Sequence, residues 1–514
     1  MSIQTPEAEI LENSLSLPSW RVPEPSCAGL SSRPSGESTD YRFAALLWLV
    51  ACLACGLALV MIYPDSYQQD GGYHFIFARW SWQHPELFIS VWQRPLFSLV
   101  HAVPALGGYE VSRCWAVLIS TAGAAMTWLI ARRIGLADSW RCIPFYLLQP
   151  ALFLMWGDTM TEPLFATVLS AALLAHFSGR LWLGAVLASL LIGARPEGAF
   201  VAVVWGLMML GSPALAKSFI KRGMCSLLLA VGLVSWVLAA WIISGDPLYI
   251  IHNWPPDWSA GGAAYGKGPI WQYLSRFPEI AGPLLMVPVA VGLWILARSP
   301  GLRLIAALFL FTFAMHSVMR VFGLFGSAGY ARYFSAFAPC LAIAGCVGWN
   351  QFSARWPHVC NRRTWAAAVS VSFIANFWFV DGSSWNRDAR AVQSAKAWFD
   401  LNQSGLPVDR FLWSQAAMNI AWDRDPWEEP ALYASDPAGA MATLKALPPR
   451  TLICWDAETG PALRNISADS IKTAGFRLIH QESHQLLGLM PAFSLFAWGG
   501  PRLQTIYILY KDPS

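Results

Sequence analysis

Apolar runs long enough to cross roughly 30 Å of hydrocarbon recur along most of the chain. They lie near residues 43–62, 112–131, 142–156, 162–178, 181–194, 199–214, 224–243, 281–297, 304–320, 333–349 and 364–380, and predict about eleven transmembrane helices. The runs at 142–156 and 181–194 are short, so tilted or broken helices are expected there. Residues 85–106 are apolar but carry Pro85, Arg94, Pro95, His101 and Pro104, which suits helices lying along the interface better than a span. Beyond residue 380 the pattern changes to helix-like runs at 389–402, 437–447 and 467–474, alternating with strand-like runs at 411–414, 451–456, 476–481 and 505–510. Alternating helix and strand predicts a small α/β domain. Residues 1–42 are polar, rich in Ser, Pro and Glu, and lack the basic and then apolar order of a signal peptide. They read as a disordered cytoplasmic tail. The fold class expected is therefore an all-α polytopic membrane domain over 43–380, with a small α/β extracytoplasmic C-terminal domain over 381–514.

Composition agrees with a membrane protein. Of 514 residues, 55% are hydrophobic and 13% charged, with a mean hydropathy of +0.42, too apolar for an ordinary soluble chain. The 28 Trp and 28 Phe suit surface at the lipid–water boundary. The net charge of +4 says little in itself, and a nucleic-acid partner is not implied. Ten Cys are present, most in or beside apolar runs, and they form neither a disulfide framework nor a metal-spaced cluster.

The distribution of charge sets an orientation. With a cytoplasmic N-terminus, the inner loops hold Arg132, Arg133, Arg141, Arg180, Lys217, Lys221, Arg222, Arg298, Arg303, Arg355, Arg362 and Arg363, and among acids only Asp138. Short loops dense in Arg and Lys belong in the cytoplasm. The outer loops mix both signs, which places the candidate chemistry on the extracytoplasmic face.

Four outer segments put a carboxylate or cation where an apolar run ends, a costly position unless it faces a wet cavity or a partner. The first, residues 63–97, holds Asp65, Asp70, His74, Arg79, His84, Glu86 and Arg94 among aromatic residues. In the second, Asp158 precedes Thr161-Glu162-Pro163, where Thr161 is a candidate cap and Glu162 suits the positive end of a helix. Capping accounts for Glu162 better than for Asp158. Arg195-Pro196-Glu197-Gly198 forms the third, with Arg195 and Glu197 able to pair. The fourth is bipartite: a loop with Asp246, His252, Asp257 and a Gly-rich stretch around Lys267, and a later group with His316, Arg320, Arg332 and Tyr333. No strand precedes the Gly-rich stretch, so it is not a P-loop. Arg332 opens a span, where it either snorkels or binds an anion. Ligation of a divalent cation, magnesium or manganese, by His74, His84 or His252 with Asp65 or Asp70 is left open, since no spacing is diagnostic.

Together these features resemble the GT-C superfamily of integral-membrane glycosyltransferases, within it the protein O-mannosyltransferase, aminoarabinose transferase and GPI-mannosyltransferase-like branches. The resemblance covers about residues 43–349 and is more architectural than motif-exact. Asp70 in Gln69-Asp70-Gly71-Gly72-Tyr73-His74 matches the family's acid in the first outer loop, and Trp92-Gln93-Arg94-Pro95-Leu96 looks like the adjoining interfacial segment. Thr161-Glu162-Pro163-Leu164, Arg195-Pro196-Glu197-Gly198 and Gly245-Asp246-Pro247-Leu248 look like recurrent elements of bacterial members, and Ala331-Arg332-Tyr333 resembles a late Arg-Tyr that meets the lipid phosphate. Relatives often carry adjacent acids in the loop, whereas Asp65 and Asp70 stand five apart; the Gly pair after Asp70 favours it as the base.

What the resemblance implies is transfer, with inversion, of mannose or a similar hexose or pentose from a polyprenyl-phosphate donor to a hydroxyl of a glycan, lipid or protein acceptor. Asp70, or else Asp65, would be the base. Arg332, Tyr333, Lys267 and Arg195 would meet the donor phosphate, and His74, Asp158, Glu162, Glu197 and His252 the sugar or acceptor. The rival reading is a multi-span transporter of a lipid-linked or anionic substrate. Charges at span ends on one side and the lack of an internal repeat favour the enzyme.

Overall fold

The computed structural model describes residues 39–62, 64, 66–67, 69–211, 218–259, 266–379, 387–403, 405–429, 431–432, 437–486 and 502–513. Almost all of the expected tail, and Asp65 with it, lies outside them. Five described helices are long and apolar enough to cross a membrane: Tyr41–Ile62, Tyr109–Arg133, Phe219–Ser244, Arg303–Phe322 and Ala331–Arg355. Pro95–Leu106, Thr161–Phe177, Leu181–Ala194, Gly198–Gly211 and Met286–Arg298 are apolar but shorter. The count of about eleven spans is thus not matched by full-length helices among the described residues.

Two of the departures have local causes. The run 142–156 splits into Cys142–Leu147 and Pro150–Met155, because Pro150 has no N–H for the ladder and holds Gln149 in an extended conformation. Gln149 then uses its side-chain amide to bond the Phe145 and Ala338 carbonyls at 3.1 and 3.0 Å. The last run forms Arg362–Phe379, in which two arginines and Asn376 dilute the apolar surface. Asn376 is buried and donates to the Leu148 carbonyl at 2.8 Å. Burial separates centre from rim. In Ala331–Arg355, 89% of the most apolar window is inside the protein, against 11% in Phe219–Ser244, so the first is the hub and the second faces lipid.

The C-terminal region forms a four-stranded sheet in the order β3-β4-β6-β5, from β3 (Arg410–Trp413), β4 (Thr451–Asp456), β5 (Arg477–Leu486) and β6 (Arg502–Tyr510). β3 and β4 are parallel and the other pairs antiparallel. Every residue of β4 is buried, which explains why Thr451-Leu452-Ile453-Cys454-Trp455-Asp456 reads as a continuous run rather than an alternating one. One face of the sheet packs on helices 437–446 and 468–473 through Leu412, Ile453, Trp455 and Leu509. The other face joins Phe411, Trp413 and Ile508 to Phe75 and Ile76 of the helix Gln69–Trp80. A two-stranded ladder of β1 (Ser66–Tyr67) and β2 (Arg387–Asp388) makes a second tie. The polar segment after the first span is therefore held between the helical body and the sheet.

Candidate active site

The helix Gln69–Trp80 presents Asp70 in its first turn, where the N-terminal dipole favours an anion. Gly71 brings this helix into close contact with its neighbour: a Cβ there would overlap Asp158 Oδ1, and the Thr159 hydroxyl donates to the Gly71 carbonyl at 2.6 Å. The first Gly of the pair thus admits the 158–159 turn rather than substrate. Asp158 is buried and its Oδ1 accepts the Thr159 N–H at 2.6 Å, which makes it a strut under the helix.

Opposite Asp70 stands Arg332, on the 3-10 turn Ala331–Phe337 that opens the hub span. Its Nη2 donates to Asp70 Oδ2. A chain of alternating charge runs on from there. Arg332 Nε lies 3.9 Å from Glu162 Oε1, the same oxygen lies 2.8 Å from Arg195 Nη1, and Arg195 grips Glu197 through Nη2 at 2.8 Å and Nε at 3.2 Å. His316 Nε2 closes the chain 3.5 Å from Glu197 Oε1. Its ring stacks on Tyr333 with centroids 5.2 Å apart, and the Arg195 guanidinium lies 5.7 Å from the centre of the same Tyr333 ring. Glu162 is fully buried. A buried carboxylate survives only where cations and donors replace its water.

Thr161 does not cap its helix. Met160 takes that position, and the Thr161 hydroxyl accepts from Arg195 Nη1 at 3.0 Å. The Arg195 guanidinium outcompetes the local backbone because it brings a charge-assisted bond.

Two features make this more than a structural clamp. Asp70 keeps 41% of its side-chain surface open, while Arg332 keeps 10%. And Nη1 of Arg332, buried beside that exposed carboxylate, has no hydrogen-bond acceptor among the described residues. A buried guanidinium N–H without a partner points to a missing anion. The surrounding protein pushes the Asp70 carboxyl up, but the bonded Arg332 guanidinium, aided by His74 and Arg195, holds it below its ordinary value.

His74 lies one turn along the helix from Asp70. Gln93 donates its amide to the His74 carbonyl and offers Oε1 to His74 Nδ1, both at 2.8 Å, which assigns the proton to Nδ1. Trp92 stacks on the ring at 4.8 Å. Burial brings the imidazole down to about 4, so it is neutral at pH 7. Arg94, with φ of 75°, puts its guanidinium over Trp258 at 4.4 Å, within electrostatic reach of Asp70, Glu162, Arg195 and Glu197. Its Nε is also buried without an acceptor among the described residues.

Not every candidate converges. Lys267 is exposed on the segment before Gly268. His252 is exposed and pairs with Asp246 at 2.7 Å, a local bond within its own loop. Arg320 turns to Gln272 and the Ser327 carbonyl instead of joining His316. Three contributors were not singled out as site residues from the sequence. Gln93 and Trp92 look like ordinary interface residues, and Tyr330, under Arg332 at 5.0 Å, is one more aromatic in a chain full of them.

Among the described residues no group of three or more His, Cys, Asp or Glu is placed to hold a metal ion. The carboxylates of Asp70, Glu162 and Glu197 each lie against a guanidinium, and Asp65, a candidate ligand, lies outside the described residues.

The sequence matches no protein-family model, and no curated protein matches it. The fold does find counterparts. ArnT from Cupriavidus metallidurans, a GT-C glycosyltransferase, superposes with a TM-score of 0.55 bound to undecaprenyl phosphate and 0.56 in the apo state, covering 90% of this chain and 98% of ArnT at 12% and 13% identity. The chain shares its fold with ArnT. At that identity the shared property is the backbone arrangement, and the site argument stands on this chain's own side chains.

Proposed function

We propose that this protein is a polyprenyl-phosphate-dependent glycosyltransferase whose reaction centre is the Asp70–Arg332 pair. The observation that carries the reading is Nη1 of Arg332, buried beside an exposed carboxylate and without an acceptor among the described residues, in a fold shared with a protein that binds undecaprenyl phosphate. Asp70 accepts the proton of the acceptor hydroxyl as the acceptor oxygen attacks the anomeric carbon. The bond from that carbon to the phosphate oxygen breaks, and the phosphate leaves with its electron pair, inverting the centre. Arg332 takes up the developing charge through Nη1, with Arg94 as a second cation. Glu162, Arg195 and Glu197 hold Arg332 and its surroundings in register.

The orientation follows from the charge pattern: N-terminus in the cytoplasm, reaction centre and sheet domain outside. Membrane lipid surrounds the helical body, and the donor reaches the centre from it. The acceptor is an extracytoplasmic hydroxyl, and mannose or a related sugar is the first donor to try. The test is consumption of a panel of labelled polyprenyl-phosphate sugars in proteoliposomes, with crude cell envelope as acceptor. Loss of one donor with release of polyprenyl phosphate supports the enzyme. Movement of a lipid-linked sugar across the bilayer without cleavage replaces it with the transporter.

A further inference from the structure

Arg332 is delivered by a loop that has little regular structure of its own. After the helix Arg303–Phe322 the chain takes positive φ at Gly323, Phe325, Gly326 and Gly329 before reaching the turn Ala331–Phe337. Such a path is held by the groups it meets. The Ser327 carbonyl accepts from Arg320 Nη1 at 2.9 Å, and the Gly329 carbonyl accepts from Arg276 Nη1 at 2.6 Å. Gln272 joins the two grips, accepting from Arg320 Nε at 2.8 Å and directing its own amide at Gly329. Gly329 has φ of 79°, and a side chain there would run into that amide.

Arg276 is the more telling of the two arginines. It is buried, and buried Glu279 holds its Nε at 3.2 Å and its Nη2 at 2.8 Å. Its charge is therefore cancelled locally. What it contributes is a rigid fork whose remaining N–H fixes a carbonyl three residues before Arg332. We propose that Arg276 is a positioning residue for Arg332: by fixing Gly329 it sets where the Arg332 guanidinium stands relative to Asp70 and the donor phosphate. The inference rests on Arg332 being the phosphate ligand.

The experiment measures binding of labelled undecaprenyl phosphate to the detergent-solubilised full chain as wild type, Arg276→Gln, Arg276→Lys, Arg332→Gln and the Arg276→Gln/Arg332→Gln double variant. Arg276→Gln is expected to weaken binding about tenfold, the scale of one charge-assisted hydrogen bond. Arg276→Lys recovers part of the loss, since an ammonium still reaches one carbonyl. The double variant binds no more weakly than Arg332→Gln alone, because a group that acts only through Arg332 has nothing left to position. A further tenfold loss in the double variant, or wild-type binding by Arg276→Gln, overturns the proposal. Where Arg276→Gln does not elute as a folded species, Arg276→Lys takes its place in the same cycle. A wild type that binds no undecaprenyl phosphate removes the phosphate reading of Arg332 itself, an outcome separate from additivity.

Discussion

On the proposed reading, replacing Arg332 by Gln removes one guanidinium from three relationships at once, each with its own magnitude. The first is the ion pair with Asp70. Because Asp70 keeps 41% of its side-chain surface open, this pair behaves toward the exposed limit and supports the fold by about 1 kcal/mol or less. Glu162 is not orphaned, since Arg195 remains 2.8 Å away, so the variant is expected to fold. The second is the ground-state contact of Nη1 with the donor phosphate, a charge-assisted hydrogen bond of about 1.5–3 kcal/mol, which raises the donor KM about tenfold to a hundredfold. The third is stabilisation of charge on the leaving phosphate. Losing one donor aimed at a developing charge lowers kcat about 10²- to 10³-fold. A fourth consequence is in pH. The reaction needs Asp70 ionised, the guanidinium favours that form, and so the acid limb of the wild-type profile lies below the ordinary Asp value of about 3.9. Without the guanidinium the burial effect prevails and the limb moves upward. Steady-state kinetics over pH 3 to 8 (roughly the range in which carboxylates and imidazoles titrate) reads all of this. An Arg332→Gln enzyme with wild-type donor KM, wild-type kcat and an unmoved acid limb refutes the reasoning.

Two further expectations follow from the same network. Glu162→Gln takes the shared carboxylate from between Arg195 and Arg332, leaving buried positive charge, and should cost about 3–5 kcal/mol in thermal unfolding in detergent; an unchanged transition contradicts the charge chain. His74→Asn should leave the pH profile between pH 5 and 8 unchanged in shape, because the imidazole, brought down to about 4 by burial, gains its proton only below that range. A limb that vanishes in the variant contradicts this.

How much of this was legible in the sequence depends on the range of the interaction. The sheet strands 451–456 and 505–510 stand out because buried strands are written as short runs of β-branched and aromatic residues, and both appear. Arg195 and Glu197, two positions apart, read as a pair and their side chains do pair. Their third partner, Glu162, is 33 positions earlier, and Asp70 lies 262 positions before Arg332; no local pattern announces such contacts. The two-residue ladder between Ser66–Tyr67 and Arg387–Asp388 is too short to carry a periodicity. Lys267 and His252 were attractive by type alone. Type says what a side chain can do, whereas convergence depends on the packing of the helix Gln69–Trp80 between the membrane body and the sheet.

The most direct test of the account compares wild type with Asp70→Asn in two assays on the same preparations: release of polyprenyl phosphate from a sugar-linked donor, and binding of undecaprenyl phosphate. Asn keeps the shape and an acceptor for Arg332 but cannot take a proton, so turnover should fall at least about a hundredfold. Phosphate binding should stay within about threefold, because Nη1 of Arg332 is left in place. Turnover by Asp70→Asn at the wild-type rate contradicts the central claim, and so does a loss of binding as large as the loss of turnover.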